Sequence, residues 1–297
     1  MARDYPRVSA TTSGRRWSGA RPAASFKCVN EQSTSSGLSP ESGGTVLRLT
    51  LAYDGTDFHG WQVQPGGLRT VQGEIIRALE RLVPLDSIPP GAGRTDAGVH
   101  ASGQVSSLCV ASAGLVARVK RALPRMMPPD VAIREVAVAQ PGFHARFSAR
   151  ARRYRYRFCT SRDPFLRRNH LLLTAHPDLE AMRAALVPLV GDHDCTSLCR
   201  TASLEPGKTL CRIQRAELVF DGETGYLEIQ ADRFLHSMVR IVVGTLLEVG
   251  RGRRGVNTFT ELIEARDRRQ AGATAPPHGL CLEEVIYDQP ADAGQES

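Results

Sequence analysis

The chain has 297 residues, 41% of them hydrophobic, and a formal charge of +7, which allows one large domain or two modest ones around a buried core. Its longest apolar candidate, residues 234–249, is broken by His236 and Arg240 and falls short of the roughly 20 apolar residues that cross a bilayer, so no membrane partner is expected. Seven scattered cysteines without a secretory signal point to reduced thiols and a cytoplasmic location, and Cys195, Cys199 and Cys211 near His193 lack the paired spacing of zinc ligands.

Residues 1–45 are rich in Ser, Thr, Gly and Arg, show no sustained periodicity, and are expected to be a disordered extension. Their few acids and many Arg and Ser also suit an organellar targeting segment, and an upstream start codon in the wrong place explains them equally well. Alternation then predicts a strand over 46–53. Thr70 caps a helix whose apolar face is Val71, Ile75, Leu79 and Leu82. An extended segment over 99–110 and a helix over 115–123 follow, and Pro124, Pro128 and Pro129 separate them from a strand over 131–138.

The second half repeats the alternation. A strand is predicted over 152–159 and a helix over 179–190, buried through Leu179, Met182, Leu186, Leu189 and Val190. Strands over 213–220 and 226–231 flank Asp221-Gly222, a hairpin signal. A long helix over 234–249 is closed by Gly250 at its C′ position, a short helix lies near 259–268, and a last strand runs over 280–287. The expected fold class is therefore α+β, with two similar halves of mostly antiparallel sheet flanked by helices. They span 46–140 and 141–289, meet near Gln140-Pro-Gly142, and are followed by a short tail over 290–297. Whether the two sheets are separate or continuous stays open.

Two segments carry chemistry. From Arg146 to Arg168 nine arginines stand against one acid, Asp163, with Phe147, Tyr154, Tyr156, Phe158 and Phe165 between them. Guanidinium groups pair with phosphates and rings stack on bases, so this mixture fits a polynucleotide surface; a solvated basic strand face is the plainer alternative. The second segment, Gly91-Ala-Gly-Arg-Thr-Asp-Ala-Gly-Val-His100, holds three glycines, an arginine, an aspartate and a histidine in ten residues. Asp96 on such a loop can face a cleft, cap local backbone N–H groups, or act with His100 on a metal ion; no Gly-Lys-Ser/Thr ending supports a phosphate loop.

Gly93-Arg-Thr-Asp-Ala-Gly-Val-His-Ala101 resembles the catalytic signature of the tRNA pseudouridine synthase A family. Four further blocks are similar to that family and stand in its order. They are Tyr53-Asp-Gly-Thr-Asp-Phe-His-Gly-Trp-Gln62; Phe143-His-Ala-Arg-Phe-Ser-Ala149 with Arg152-Arg-Tyr-Arg-Tyr156; Phe234-Leu-His-Ser-Met-Val-Arg240 with Gly244-Thr-Leu-Leu-Glu-Val-Gly250; and Ala275-Pro-Pro-His-Gly-Leu280. The resemblance covers residues 46 to about 288. It implies the pseudouridine synthase fold and isomerisation of uridine to pseudouridine at positions 38 to 40 of the tRNA anticodon stem-loop, with tRNA as partner, a homodimer, no metal and no organic cofactor. It places Asp96 as the catalytic nucleophile, Arg240 as the partner of that carboxylate, Tyr154 as the active-site tyrosine, and Arg94 beside the RNA strand.

The chemistry suits these roles. The reaction breaks the bond from ribose C1′ to base N1 and joins C1′ to C5, and a carboxylate can hold the separated parts covalently, as it does at sugar carbons elsewhere. A carboxylate taken out of water keeps its charge beside a cation that cannot deprotonate, which an arginine supplies. A ring such as Tyr154 replaces the stacking that the base loses on leaving its helix. The alternatives are a non-catalytic RNA-binding protein on the same scaffold, or the same chemistry at another RNA site. One departure concerns packing: where the family carries two phenylalanines near Gly191-Asp-His-Asp194, this chain has Cys195 and Leu198.

Overall fold

The computed structural model describes residues 44–174, 176–204 and 207–288. All but the last two positions of the expected 1–45 extension, and the whole of the 290–297 tail, lie outside the described residues.

Among the described residues nine strands form a single sheet. The first half contributes β1 (Thr45–Tyr53), β2 (His100–Val110) and β3 (Val131–Val138). The second contributes β4 (Ala149–Cys159), the two-residue β5 (Leu171–Leu172), β6 (Gly191–Asp194), β7 (Leu210–Asp221), β8 (Thr224–Ala231) and β9 (Leu280–Tyr287). Their order is β3-β1-β2-β9-β4-β8-β7-β6, with β5 paired to β4 off this path. The question of separate or continuous sheets is thereby answered: β9, the last strand in sequence, sits in the middle and joins the halves. Its junction with β2 is parallel and short, limited to His100↔Cys281 and Ala101↔Leu282. Every other pairing along the path is antiparallel.

One sheet face carries the core. Along β1, Leu47, Leu49 and Leu51 are wholly buried, as alternation requires. Helix α1 (Val71–Leu79) buries Val71, Ile75 and Leu79, and Thr70 accepts the Gly73 amide at 3.2 Å as its N-cap. Helix α2 (Ala113–Ala122) follows on the first half; α3 (Leu179–Leu186), α4 (Met238–Gly250) and α5 (Thr258–Ala265) cover the second. The β7–β8 hairpin turns at Gly222, whose φ of +58° fits the Asp-Gly signal.

Three sequence expectations are corrected. The helix expected over 179–190 ends at Leu186, because Pro188 removes a donor and turns Val187–Leu189 into a 3-10 segment; Val190 is then exposed. The helix expected over 234–249 begins at Met238, since Ser237 takes a left-handed backbone (φ +59°) that no helix continues through. Gly250 is the last residue of α4 rather than a C′ residue. A Cβ on it would lie 2.5 Å from Met182 Sδ, so glycine is there for the close approach of α3. At the two positions that depart from the family's aromatic pattern, Cys195 and Leu198 are each 1% exposed, so the smaller side chains are absorbed into the core.

Candidate active site

The loop over 91–99 is held by its backbone, which leaves its side chains available. Trp61 donates its amide to Thr95 O (3.1 Å), Gly98 N–H donates to Phe58 O (3.3 Å), and the Ala92 amide donates to Val105 O (2.8 Å). Gln104 donates to Gly93 O (2.8 Å), and the Tyr53 and Thr95 hydroxyls meet at 2.9 Å. At the end of the loop the ring of His100 crosses the seam between the halves. The Gly55 amide donates to its Nδ1 (3.0 Å), so Nε2 carries the proton and faces the carbonyls of Arg168 (2.8 Å) and His278 (3.0 Å). His100 thus has a structural role in this geometry, tying the loop to both halves.

Asp96 projects from this frame towards groups 141 and 144 residues further along the chain. Ser237 Oγ donates to its Oδ2 at 2.8 Å, and Arg240 Nη1 donates to the same oxygen at 2.7 Å. His236 Nε2 lies 3.4 Å from the other oxygen, Oδ1, while Ser203 Oγ meets His236 Nδ1 at 2.6 Å. The Asp96 side chain is 21% exposed and that of Arg240 is 17% exposed, so the ion pair is shielded from most but not all solvent. One oxygen is therefore engaged twice and the other faces a histidine.

Arg240 is aimed by its surroundings. Its Nε donates to Ala275 O (2.8 Å), and the Ala275 amide donates back to Arg240 O (3.0 Å). The 273–275 segment can lie this close only because position 244, one helical turn along, is glycine: a Cβ there would sit 1.6 Å from Ala273 O. The space beside Gly244 is thus filled by backbone.

Tyr154, on β4, is 7% exposed and packs edge-on against Phe234, with ring centroids 5.1 Å apart. Burial pushes its phenol above the usual tyrosine range, with the Arg152 cation working in the opposite direction. Its hydroxyl passes beside Gly93, where a Cβ would lie 3.6 Å away. Tyr156, two residues on, is wholly buried and donates to Pro276 O (2.9 Å), an ordinary core role. Arg94 is exposed on the Asp96 loop.

Sequence reasoning missed three contributors. Ser237 is a left-handed non-glycine residue against a carboxylate, the kind of strain that concentrates at functional sites, but nothing in its residue type announced it. His236, which fell within the helix expected over 234–249, lies in the turn before the helix and still reaches Asp96. Arg152 is 9% exposed and has no carboxylate partner among the described residues. Its guanidinium donates to Ala92 O (2.8 Å), Arg146 O (2.8 Å) and Asp232 O (2.7 Å), joining the Asp96 loop, the 143–149 segment and the loop that leads to Ser237. Burial draws its pKa down from the normal arginine value. A signal for it was present: in Arg152-Arg-Tyr-Arg-Tyr-Arg-Phe158 the even positions are the buried phase, and Arg152 occupies it.

Most of the β4 arginines that were expected to form a polynucleotide surface are paired with acids. Arg153 pairs with Glu284, Arg155 with Glu228 at 2.7 Å and Arg157 with Glu283 at 2.6 Å, all on the face away from the core, and Arg150 pairs with Asp288. Alternation sends the rings of Tyr154, Tyr156 and Phe158 to the opposite, buried face, so rings and guanidinium groups do not share one surface.

Comparison with known proteins decides the lineage. A family model described as tRNA pseudouridine synthase matches residues 185–288. A protein of Geobacillus sp. named tRNA pseudouridine synthase A is 45% identical over 246 residues, which is 82% of this chain and 98% of the relative. Proteins of the same name from Moorella thermoacetica (44% identical, 81% of this chain, 99% of the relative) and Bacteroides fragilis (41% identical, 81% and 96%) match almost as fully. The chain belongs to the tRNA pseudouridine synthase A family. The α+β fold and mostly antiparallel sheet expected for that family are the ones described above. Among the described residues no helix is long and apolar enough to cross a membrane.

Proposed function

We propose that this chain isomerises uridine to pseudouridine in transfer RNA, at positions 38 to 40 of the anticodon stem-loop, with Asp96 as the nucleophile. The carrying observation is a carboxylate that a rigid loop presents to Arg240 and Ser237 at a seam between two halves, beside a buried tyrosine. Membership of a family whose members are named for this reaction supports the activity; the anticodon positions rest on the motif resemblance.

In this mechanism the target uridine leaves its stack and Tyr154 takes over part of the lost stacking, worth ~1–3 kcal/mol per base. Asp96 Oδ1 is the attacking oxygen, because Oδ2 already accepts from Ser237 and Arg240. The covalent bond holds one fragment while the base turns over. The N1–C1′ bond breaks, the C5–C1′ bond forms and the bond to Asp96 is released; C5 gives up one proton and N1 gains one. No atom is added or lost and no electron leaves the nucleoside. Arg240 orients the carboxylate between turnovers through its 2.7 Å hydrogen bond, and the raised phenol pKa keeps Tyr154 protonated at neutral pH. Arg94 lies along the RNA strand near the flipped nucleotide. The chain works as a cytoplasmic homodimer with one tRNA held across both subunits.

Mapping pseudouridine in tRNA from cells lacking this protein tests the proposal. Uridines 38 to 40 are expected to stay unmodified and to regain modification when the gene is restored. Normal modification at all three without the protein, together with loss at another site, would transfer the chemistry to that site.

A further inference from the structure

Beside the ion pair of Asp96 and Arg240 lies a cavity of about 520 Å³, within the usual range for a small-ligand site. Arg240 and Ser237, both bonded to Asp96, form one of its walls. Arg200, Thr201, Arg268 and Thr274 line much of the remainder, and no carboxylate is among the lining residues. Arg268 is held by Ala271 O and Thr274 Oγ1, both at 3.2 Å, and Arg200 is exposed; neither faces an acid within ion-pair distance among the described residues. Asp96 answers only one of the three guanidinium groups, so two positive charges are left towards the cavity.

This arrangement is unlike the open face of the sheet, where Arg48, Arg153, Arg155, Arg157 and Arg215 each meet a glutamate. Unanswered guanidinium groups kept close together repel one another, and a phosphate oxygen relieves that repulsion while taking two N–H bonds in the plane of one guanidinium. A uridine whose ribose meets Asp96 carries a phosphate on either side of that ribose. A cavity that shares Arg240 and Ser237 with the carboxylate is therefore placed to receive one of them.

We infer that the Arg200–Arg268 cavity is a backbone-phosphate subsite that seats the strand directly beside the flipped uridine. The inference rests on the RNA-modifying reading of Asp96, and it adds the anchor that brings C1′ to the carboxylate rather than another part of the nucleotide. Arg200 supplies the main charge; Arg268, fixed through Thr274, sets the direction from which the phosphate enters.

The test uses the full-length protein and an unmodified tRNA transcript. Arg200→Ala, at an exposed position, is expected to fold normally and to raise KM about ten-fold, as loss of a charge-assisted hydrogen bond should, with a smaller change in kcat. The dependence of log KM on log salt concentration should become shallower by about 0.7 to 0.9, one phosphate contact's share. Transcripts carrying a neutral methylphosphonate at one or the other phosphate flanking the target uridine provide the partner arm. One of the two should cost wild type as much as Arg200→Ala does, and cost the Arg200→Ala protein nothing further. Arg268→Lys should show the same non-additivity at the same phosphate. An unchanged salt slope, or losses that simply add, would overturn the subsite while wild-type turnover left the catalytic reading standing. A wild-type protein that makes no pseudouridine would overturn both.

Discussion

The arginines of this protein fall into two populations, and their surroundings separate them more sharply than their positions in the sequence do. On the open face of the sheet, guanidinium groups are laced to glutamates from neighbouring strands. Glu228 on β8, whose side chain is 3% exposed, takes both Arg155 (2.7 Å) and Arg215 (3.0 Å). Around the Asp96 loop, arginines are answered by carbonyls, as Arg152 is, by the carboxylate of Asp96, as Arg240 is, or by no acid among the described residues, as with Arg200 and Arg268. An arginine that meets an acid on the same sheet contributes to a fixed surface. An arginine denied one keeps its charge for a ligand or organises backbone. A density of positive charge along the chain therefore does not tell the two populations apart; the distribution of acids does.

Substitutions on the two sides should part company. The largest effect is expected at Arg152→Lys, which keeps the charge but cannot reach three carbonyls on three segments. It should lower kcat about 10- to 100-fold by letting the Asp96 loop and the Ser237 turn drift apart, while KM for tRNA moves less than about three-fold. Steady-state kinetics on one transcript measures both; a pure KM effect would make Arg152 an RNA contact instead. A smaller effect, and of another kind, is expected at Arg155→Gln. Arg215 still answers Glu228, and Arg155 is partly exposed, so stability should fall by only about 1 kcal/mol in a denaturant titration. The value of kcat/KM should stay within about two-fold, and a ten-fold loss there would show that the sheet face also carries RNA.

Much of the fold was readable because it follows from local rules. Alternation gave β1, β3, β4, β8 and β9 to within a few residues, Thr70 gave the start of α1, and Asp221-Gly222 gave the hairpin. The central place of β9 was not readable, since the short parallel pairing of His100 with Cys281 joins residues that no local pattern connects. The start of α4 was misread because residues 234–237 are compatible with a helix by composition, while tertiary contacts with Asp96 and Ser203 hold them in a turn. The motifs singled out Asp96, Tyr154 and Arg240, and of these Asp96 and Arg240 meet at 2.7 Å. Ser237, His236 and Arg152 gain their meaning only when distant segments meet, although the phase of β4 already set Arg152 apart from its neighbours.

The most direct measurement is single-turnover conversion of an unmodified tRNA transcript by wild type and by Asp96→Asn, a change that keeps shape and removes the negative charge. Wild type should form pseudouridine, and Asp96→Asn should bind the transcript, retain its fold by circular dichroism, and convert none of it above background. Conversion by Asp96→Asn within about ten-fold of the wild-type rate would mean that the nucleophile lies elsewhere, and the arrangement built around Arg240 and Ser237 would need another purpose.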